Sequence, residues 1–274
     1  MGKRTNKICV VIPMFGFGEY TKKCIGLTIE NAGVGVDIVV VDDCSEVPFE
    51  DSRVKVIRLE KNIGFTGATN AGIEYAWNHY DYVHLLNNDT EPRPDFIKSL
   101  LDILDKYEDI GVACSVRETT YNGIASFFNY PIDCLSGYCM FTYEDLEDEF
   151  CLCPWIPLCS ALIRTEVIKQ TGLLDRRMLN HCSDNDFCIR AGQMGYKVVL
   201  VPKSKVYHYH EITTRNLGLD ASIDQQLLIQ KVRCDFMKNV LETYPLDGNE
   251  KKMYELVFRE KVSPGEVMPN AQAE

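Results

Sequence analysis

Three short apolar runs, each stopping abruptly on polar residues, narrow the folds open to this chain more than any other feature. Ile8-Cys9-Val10-Val11-Ile12 ends at Pro13, Asp37-Ile38-Val39-Val40-Val41 at Asp42-Asp43-Cys44-Ser45, and Tyr82-Val83-His84-Leu85-Leu86 at Asn87-Asn88-Asp89-Thr90. Runs of this kind suit strands buried on both faces, as in parallel sheets. Val54 to Leu59 alternates as a further strand. Between the runs lie two helical segments. Thr21 to Asn31 carries Cys24, Leu27 and Thr28 at helical spacing and stops at Gly33 and Gly35, and Thr66 to Tyr80 carries Ala68, Ala71, Ile73, Tyr75, Ala76 and Trp77. Strands alternating with helices make β-α-β units and an α/β, mostly parallel central sheet flanked by helices. Open sheets of this type bind ligands at the carboxyl edge of the strands, where these runs deliver Asp42, Asp43 and Asp89. Pro92 and Pro94 then force the chain to turn.

Farther along, Asp95 to Tyr107 reads as an amphipathic helix and Gly111 to Cys114 as a short strand. From Glu118 to Phe150 the periodicity fades into loops and short strands, with many aromatics, Gly123, Pro131, Gly137 and an acidic run from Glu144 to Glu149. Regularity returns in a strand at Ser160 to Ile163, a helix from Asp186 to Met194 and a strand at Lys197 to Val201. Ile223 to Tyr244 has the pattern of a long amphipathic helix, which packs against the sheet more simply than it touches a membrane surface or a second copy. The polar tail from Ser263, with Pro264 and Pro269, is expected to be mobile.

With 274 residues and 46% hydrophobic content, the chain is long enough to bury a sizeable core. Its net charge of −11 argues against a nucleic-acid partner, and a bound anion would need a metal or backbone N–H groups to offset the negative field. The twelve cysteines show no disulfide spacing. Cys9, Cys44, Cys114, Cys159 and Cys234 sit in or beside apolar stretches, and Cys151 and Cys153 lack the second pair a structural zinc site needs. Buried, reduced thiols are expected, which suits a reducing cytoplasm. Met1 to Lys7 is polar and basic without an apolar signal core. No stretch approaches the ~18–20 apolar residues of a membrane span, so a soluble, cytoplasmic protein is expected.

Four further segments carry candidate chemistry. Asp42 and Asp43 could accept from a ribose hydroxyl or a base N–H, or could cap a turn. Asn62-Ile63-Gly64-Phe65-Thr66-Gly67-Ala68-Thr69-Asn70 leads into a helix whose first N–H groups could face phosphate or base, or whose glycines could serve packing alone. Ser183-Asp184-Asn185-Asp186 opens a helix. Ser183 with Asp186 suits a capping box, and helix-end N–H groups should hold Asp184 ionised with a low pKa. In Val206-Tyr207-His208-Tyr209-His210 either imidazole could ligate a metal, or both could be structural.

Taken together and in order, these segments resemble the family 2 glycosyltransferases of the GT-A fold, especially the rhamnosyltransferase-like branch. The resemblance runs from about Ile8 to Thr214 and includes Gly172-Leu173-Leu174-Asp175 and Gly195-Tyr196-Lys197-Val198-Val199-Leu200-Val201-Pro202. It implies a GT-A, Rossmann-like single domain with a C-terminal helical extension: residues 1–215, split into a nucleotide-binding half (1–115) and an acceptor and catalytic half (116–215), then an extension at 216–262 and a tail at 263–274. It further implies that Asp43 or Asp42 contacts the uracil or thymine and ribose of a UDP- or dTDP-sugar. Pro13, Asn62, Gly64, Phe65, Gly67, Asn70, Asn87 and Asn88 would line the same donor. Asn87-Asn88-Asp89 occupies the family's D-x-D position, with Asp89 binding Mn²⁺ or Mg²⁺ on the diphosphate and His208 completing the site. Asp184 falls on the general base, and Trp155, Ser183 and Asp186 lie toward a glycan or glycoconjugate acceptor.

Two departures from the family pattern matter chemically. Asn87 replaces the first D-x-D carboxylate and removes one formal charge, and Ser183 replaces the Glu of the family's Glu-Asp pair. The implied reaction is inverting transfer, in which a metal offsets the departing diphosphate and no general acid is required. Two other readings compete: a sugar nucleotidyltransferase, whose basic glycine-rich loop is absent from Met14-Phe15-Gly16-Phe17-Gly18-Glu19, and a non-catalytic nucleotide-sugar binding module. The aromatics Phe127, Phe128, Tyr130 and Trp155 would suit stacking on acceptor sugar rings.

Overall fold

The computed structural model describes residues 7–121, 124–133, 137–141, 149–153, 155–209 and 222–231. Strands β1 (Ile8–Met14), β2 (Asp37–Asp42), β3 (Lys55–Arg58) and β4 (Tyr82–Leu86) are joined through helices α1 (Gly18–Asn31) and α2 (Gly64–Ala76). Then come β5 (Thr90–Pro92), α3 (Phe96–Lys106), β6 (Ile110–Tyr121), β7 (Ile124–Asp133), β8 (Gly137–Phe141) and β9 (Cys151–Leu152). The described elements close with β10 (Ser160–Arg164), α4 (Thr165–Thr171), α5 (Ser183–Gln193), β11 (Lys197–His208) and α6 (Ser222–Lys231).

The sheet runs β3-β2-β1-β4-β10-β6-β11-β5, with β7 and β8 continuing from β6, and β9 beside β11. The first four strands are parallel, as the alternation of runs and helices predicts. Beyond β4 the sheet is mixed: β10 is antiparallel to β4 and β6, β6 and β11 are parallel, and β5 is antiparallel to β11. The expectation of a mostly parallel sheet therefore holds for the first half of the chain. In the second half β10 runs antiparallel to β4, which no local pattern announced. The fading periodicity after Glu118 corresponds to the β6-β7-β8 antiparallel ladder.

The chain starts at β1, builds outward through β2 and β3, and returns to place β4 on the other side of β1. Strand order thus reverses between β1 and β4, which opens a crevice at their carboxyl ends. Pro13 lies past the last β1–β4 pair, Val11 with Leu85, where a ladder tolerates proline. Alternate β1 residues feed two cores. Cys9 and Val11 pack with Ile73 and Ala76 of α2, while Ile8, Val10 and Ile12 pack with Cys24 and Ile25 of α1 and Phe96, Leu100 and Leu104 of α3. Helix α2 sits so close to the sheet that a Cβ on Gly72 would stand 2.2 Å from Val11 Cγ1. Cys9, Cys24, Cys114, Cys153, Cys159 and Cys188 are buried free thiols, as expected. Among the described residues, no helix is long and apolar enough to cross a membrane. Helix α6 seats Leu228 in the core, so over its described length the helix packs on the protein; the expected continuation to Tyr244 lies outside the described residues, as does the tail.

A buried polar chain crosses the middle strands. Ser204 Oγ donates to Phe96 O at 2.7 Å, so Ser115 Oγ must donate to Ser204 at 2.7 Å and Ser160 Oγ to Ser115 at 2.7 Å. The hydrogen left for the 3.2 Å contact between His84 and Ser160 is then on His84 Nε2, which makes the imidazole the neutral Nε2–H tautomer. Burial drives its pKa down to about 3, which keeps it neutral. Nitrogen-15 NMR should find this single tautomer from pH 5 to 8; a protonated ring in that range would contradict the hydrogen order. Gly72→Ala should cost about 1–3 kcal/mol by pushing α2 off Val11, measured by denaturant unfolding.

Candidate active site

The β4–β5 turn presents Asn87, Asn88 and Asp89 at the crevice, and every part of it is tied down. Asn87 N–H donates to Cys159 O at 2.9 Å, Thr90 Oγ1 donates to Asn87 O at 2.8 Å, and Tyr209 N–H donates to Asp89 O at 3.1 Å. Asn88 Nδ2 donates to Thr21 Oγ1 at 3.0 Å, so this side chain anchors the turn to α1. The strand pair of His208 with Thr90 then sets His208 Nε2 3.0 Å from Asp89 Oδ1 and 3.3 Å from Asn87 Nδ2. Two cis ligands of an octahedral Mg²⁺ at about 2.1 Å lie roughly 3.0 Å apart, so the Asp89–His208 spacing suits one cation in place of the shared proton. Imidazole favours Mn²⁺ over Mg²⁺ in such a set. Among the described residues no third His, Cys, Asp or Glu joins them, so a cation there would need ligands from outside this set. His210 lies outside the described residues.

Asp184 occupies the first turn of α5. Its Oδ2 faces Leu158 N–H at 3.4 Å and its Oδ1 the N–H of Asn185 at 2.9 Å. Burial raises its pKa, outweighing these N–H groups and the nearby charge of Arg117. The expectation of a low pKa is therefore overturned: desolvation by the core beneath the helix exceeds the stabilisation from the helix end. The capping box does not form either. Cys182 is the N-cap, in the left-handed region (φ 61°), and the Ser183 hydroxyl instead accepts from Thr66 Oγ1 at 2.8 Å. Leu158 and Cys159 are consecutive: the N–H of one meets Asp184, and the carbonyl of the other holds Asn87. The Cys159 thiol, raised to about 12 by burial, feels both the Asp89 and the Asp184 charge. One short segment thus joins Asp184 to the Asn87–Asp89 turn.

Several residues expected at the donor make internal hydrogen bonds. Asp42 is fully buried and accepts from Ser45 N–H at 2.9 Å, Phe49 N–H at 3.1 Å and Arg58. Burial pushes its pKa up, but the Ser45, Phe49 and Arg58 hydrogen bonds together hold it below the usual carboxylate range. It shapes the loop whose Ser45 Oγ accepts Gly16 N–H at 2.8 Å. Asp43, also buried, accepts Ile63 N–H at 2.8 Å; burial raises its pKa despite that bond. The N–H groups at the start of α2 are not open to phosphate. Gly64 N–H goes to Asn62 Oδ1 at 3.1 Å, Phe65 N–H to Asn180 Oδ1 at 3.2 Å and Thr66 N–H to Leu179 O at 3.0 Å. Gly64 is required by its φ of +79° and by Leu179 O, 2.8 Å from where a Cβ would stand, and Gly67 by Ile63. Asn70 holds both N–H and C=O of Leu174, at 3.0 and 2.8 Å.

The expected acceptor residues also turn inward. Trp155 is buried in the core, and Asp186 is held by Arg190 at 2.9 Å and Lys231 at 2.5 Å. Phe127, Phe128 and Tyr130 run in β7, but their side chains lie outside what is described. Sequence reasoning missed Arg117, a buried cation whose field reaches both Asp184 and Cys159. Its signal was a charge closing the mostly apolar run Gly111 to Val116.

The profile described as Glycosyl transferase family 2 matches residues 9–170. The succinoglycan biosynthesis protein ExoO of Rhizobium meliloti is 30% identical over 105 residues, covering 36% of this chain and 30% of ExoO. The amylovoran biosynthesis glycosyltransferase AmsB of Erwinia amylovora is 23% identical over 223 residues, covering 74% of this chain and 69% of AmsB. The chain thus spans under a third of the length of ExoO. Among solved structures, GalNAc-T7 with UDP, GalNAc and Mn²⁺ matches with a TM-score of 0.68 and 16% identity, over 94% of this chain and 57% of that one. TarS 1–349 of S. aureus in complex with UDP matches with a TM-score of 0.55 and 14% identity, over 92% of this chain and 70% of that one. At these identities the likeness is one of fold, the GT-A arrangement.

Asp42 and Asp184 should affect stability with opposite signs. The lowered pKa of Asp42 adds stability above the unfolded value near 3.9, and this stability is lost as pH falls through the folded value. The raised pKa of Asp184 means that its stability is full below about 3.9 and is lost as pH rises through the folded value. At pH 7, Asp184→Asn should therefore raise the Tm, with the gain shrinking toward pH 4. Asp42→Asn should lower stability by about 1–3 kcal/mol at pH 7. Thermal unfolding across this pH range checks both.

Proposed function

The chain belongs to glycosyl transferase family 2, and from that premise we propose that it moves a sugar from a UDP- or dTDP-sugar to a hydroxyl of a glycan or glycoconjugate, with inversion at the anomeric carbon. The observation that carries this reading is the Leu158–Cys159 segment, which joins a carboxylate of raised pKa, Asp184, to the turn bearing Asp89. Inverting transfer needs this pair: a base on the acceptor side and a charge anchor for the leaving diphosphate.

In the proposed reaction the acceptor oxygen attacks the anomeric carbon while Asp184 takes its proton, and the bond from that carbon to the diphosphate breaks on the opposite face. Burial makes Asp184 a stronger base than an exposed aspartate, and its proton acceptance becomes favourable as the new bond forms. Asp89 and His208 would hold a divalent cation, which when bound offsets charge on the departing diphosphate. Asp43, engaged by fewer protein groups than Asp42, is assigned to the base or ribose. The names of ExoO and AmsB support polysaccharide synthesis as the setting, and the UDP and Mn²⁺ held by GalNAc-T7 support the donor and metal class.

The test is a panel of UDP- and dTDP-sugars assayed for transfer with and without Mn²⁺, alongside donor binding by calorimetry. Asp184→Asn should keep donor affinity and lower the transfer kcat by about 10²- to 10⁴-fold. Retained transfer would remove Asp184 as base, and donor binding without turnover by the unaltered protein would favour a binding module. Asn87→Asp, which restores a carboxylate beside Asp89, should lower the half-saturating Mn²⁺ concentration by about tenfold.

A further inference from the structure

Helix α6 grips the segment that leads into Asp184. Asp224, buried near its start, accepts three consecutive backbone N–H groups: Leu179 at 3.1 Å, Asn180 at 2.9 Å and His181 at 2.8 Å. Three successive N–H groups turned toward one carboxylate, Leu179 to Oδ1 and Asn180 and His181 to Oδ2, form an anion nest filled by the protein's own side chain. Two turns later Lys231 Nζ reaches Asp175 Oδ2 at 2.6 Å and Asp186 Oδ1 at 2.5 Å, with Leu228 buried between. The helix therefore holds both sides of the loop that separates α4 from α5.

That loop decides where Asp184 points. Leu179 O and the Asn180 side chain cap the start of α2, and Thr66 of α2 donates to Ser183. Between the Asp224 nest and Ser183 lies Cys182, a non-glycine residue at φ 61°, a sparsely populated conformation that persists only when its surroundings over-determine it. Here the surroundings are Asp224 on one side and Thr66 on the other. The contact from Leu158 N–H to Asp184, at 3.4 Å, is too long to fix the carboxylate alone. The 2.9 Å bond to the carboxylate comes from Asn185 N–H within α5, so Asp184 follows the direction of α5 as it leaves Cys182.

We propose that Asp224 is a positioning residue for transfer: by holding residues 179–181 it keeps Cys182 in its left-handed conformation and aims Asp184 at the acceptor. This inference rests on Asp184 being the base. It makes α6 part of the catalytic unit. The charge of Asp224 is needed because three N–H donors converge on it, and an amide offers one carbonyl oxygen for them.

The test uses the full chain. Asp224→Asn should lower the transfer kcat by about 10- to 100-fold with the donor Kd unchanged, since small misplacement of a base weighs on the chemical step. Asp224→Glu, which keeps the charge on a longer arm, should recover part of the loss and serves as the readout if the asparagine variant folds poorly. Hydrogen exchange supplies a measure independent of the base assignment: amides 179–181 and 183–186 should exchange faster in Asp224→Asn while those of β1 and β4 do not. Unchanged exchange at 183–186 overturns the proposal whatever Asp184 does. So does an unchanged kcat in an assay where Asp184→Asn is inactive, or a kcat that falls only in step with the folded fraction seen by circular dichroism. If Asp184→Asn retains transfer while exchange at 183–186 still rises, the base assignment fails and the anchoring role of Asp224 stands.

Discussion

The reversal of strand order at β1 is the constraint on which the rest of the molecule depends. It leaves the carboxyl ends of β1, β2 and β4 beside one crevice, and because all three strands are parallel, their loops emerge on the same edge. The insertion of β10 antiparallel to β4 then brings residues 158 and 159 alongside the β4 turn from the opposite direction. The two halves of the chain meet at that junction. A parallel strand in the place of β10 would have sent this segment to the other edge.

Within this frame the carboxylates divide into those saturated by internal partners and those whose burial is not offset. Asp42, Asp175, Asp186 and Asp224 are each saturated by N–H groups, Arg or Lys. A chain of net charge −11 can bury so many acids only by giving each such partners, because an unpaired buried charge costs several kcal/mol or more. Asp43 and Asp184 are the contrast: their hydrogen bonds do not offset their burial, so their pKa values rise. The same reasoning corrects the α2 loop. Its glycines and polar groups look like a phosphate cradle, yet each N–H from Ile63 to Thr66 is consumed by a protein oxygen.

Much of the fold was legible in sequence because buried strands and amphipathic helices leave periodic traces. The apolar runs ending at Pro13, Asp42 and Asn87 became β1, β2 and β4, and Asn87 to Asp89 follow the carboxyl end of β4. Asp89 and His208, 119 positions apart, do come together. What the sequence hid was the use of each polar group. Trp155 and Asp186 looked available to an acceptor, and both face inward. Ser183 looked like half of a capping box, and its hydroxyl went to another helix. Each time a local propensity competed with a partner elsewhere in the fold: Thr66 for Ser183, Lys231 for Asp186 and the core for Trp155.

The amino-acid order alone determined the α/β alternation, the carboxyl-edge location of the Asp42-Asp43 and Asn87-Asn88-Asp89 clusters, and the family, because these follow from short-range pattern and ordered motifs. Tertiary structure decided which carboxylates are saturated by internal partners, the raised pKa of Asp184, and the hold of α6 on the loop before it. Those outcomes depend on desolvation and on hydrogen bonds between distant segments, quantities that exist only once the chain has closed around them.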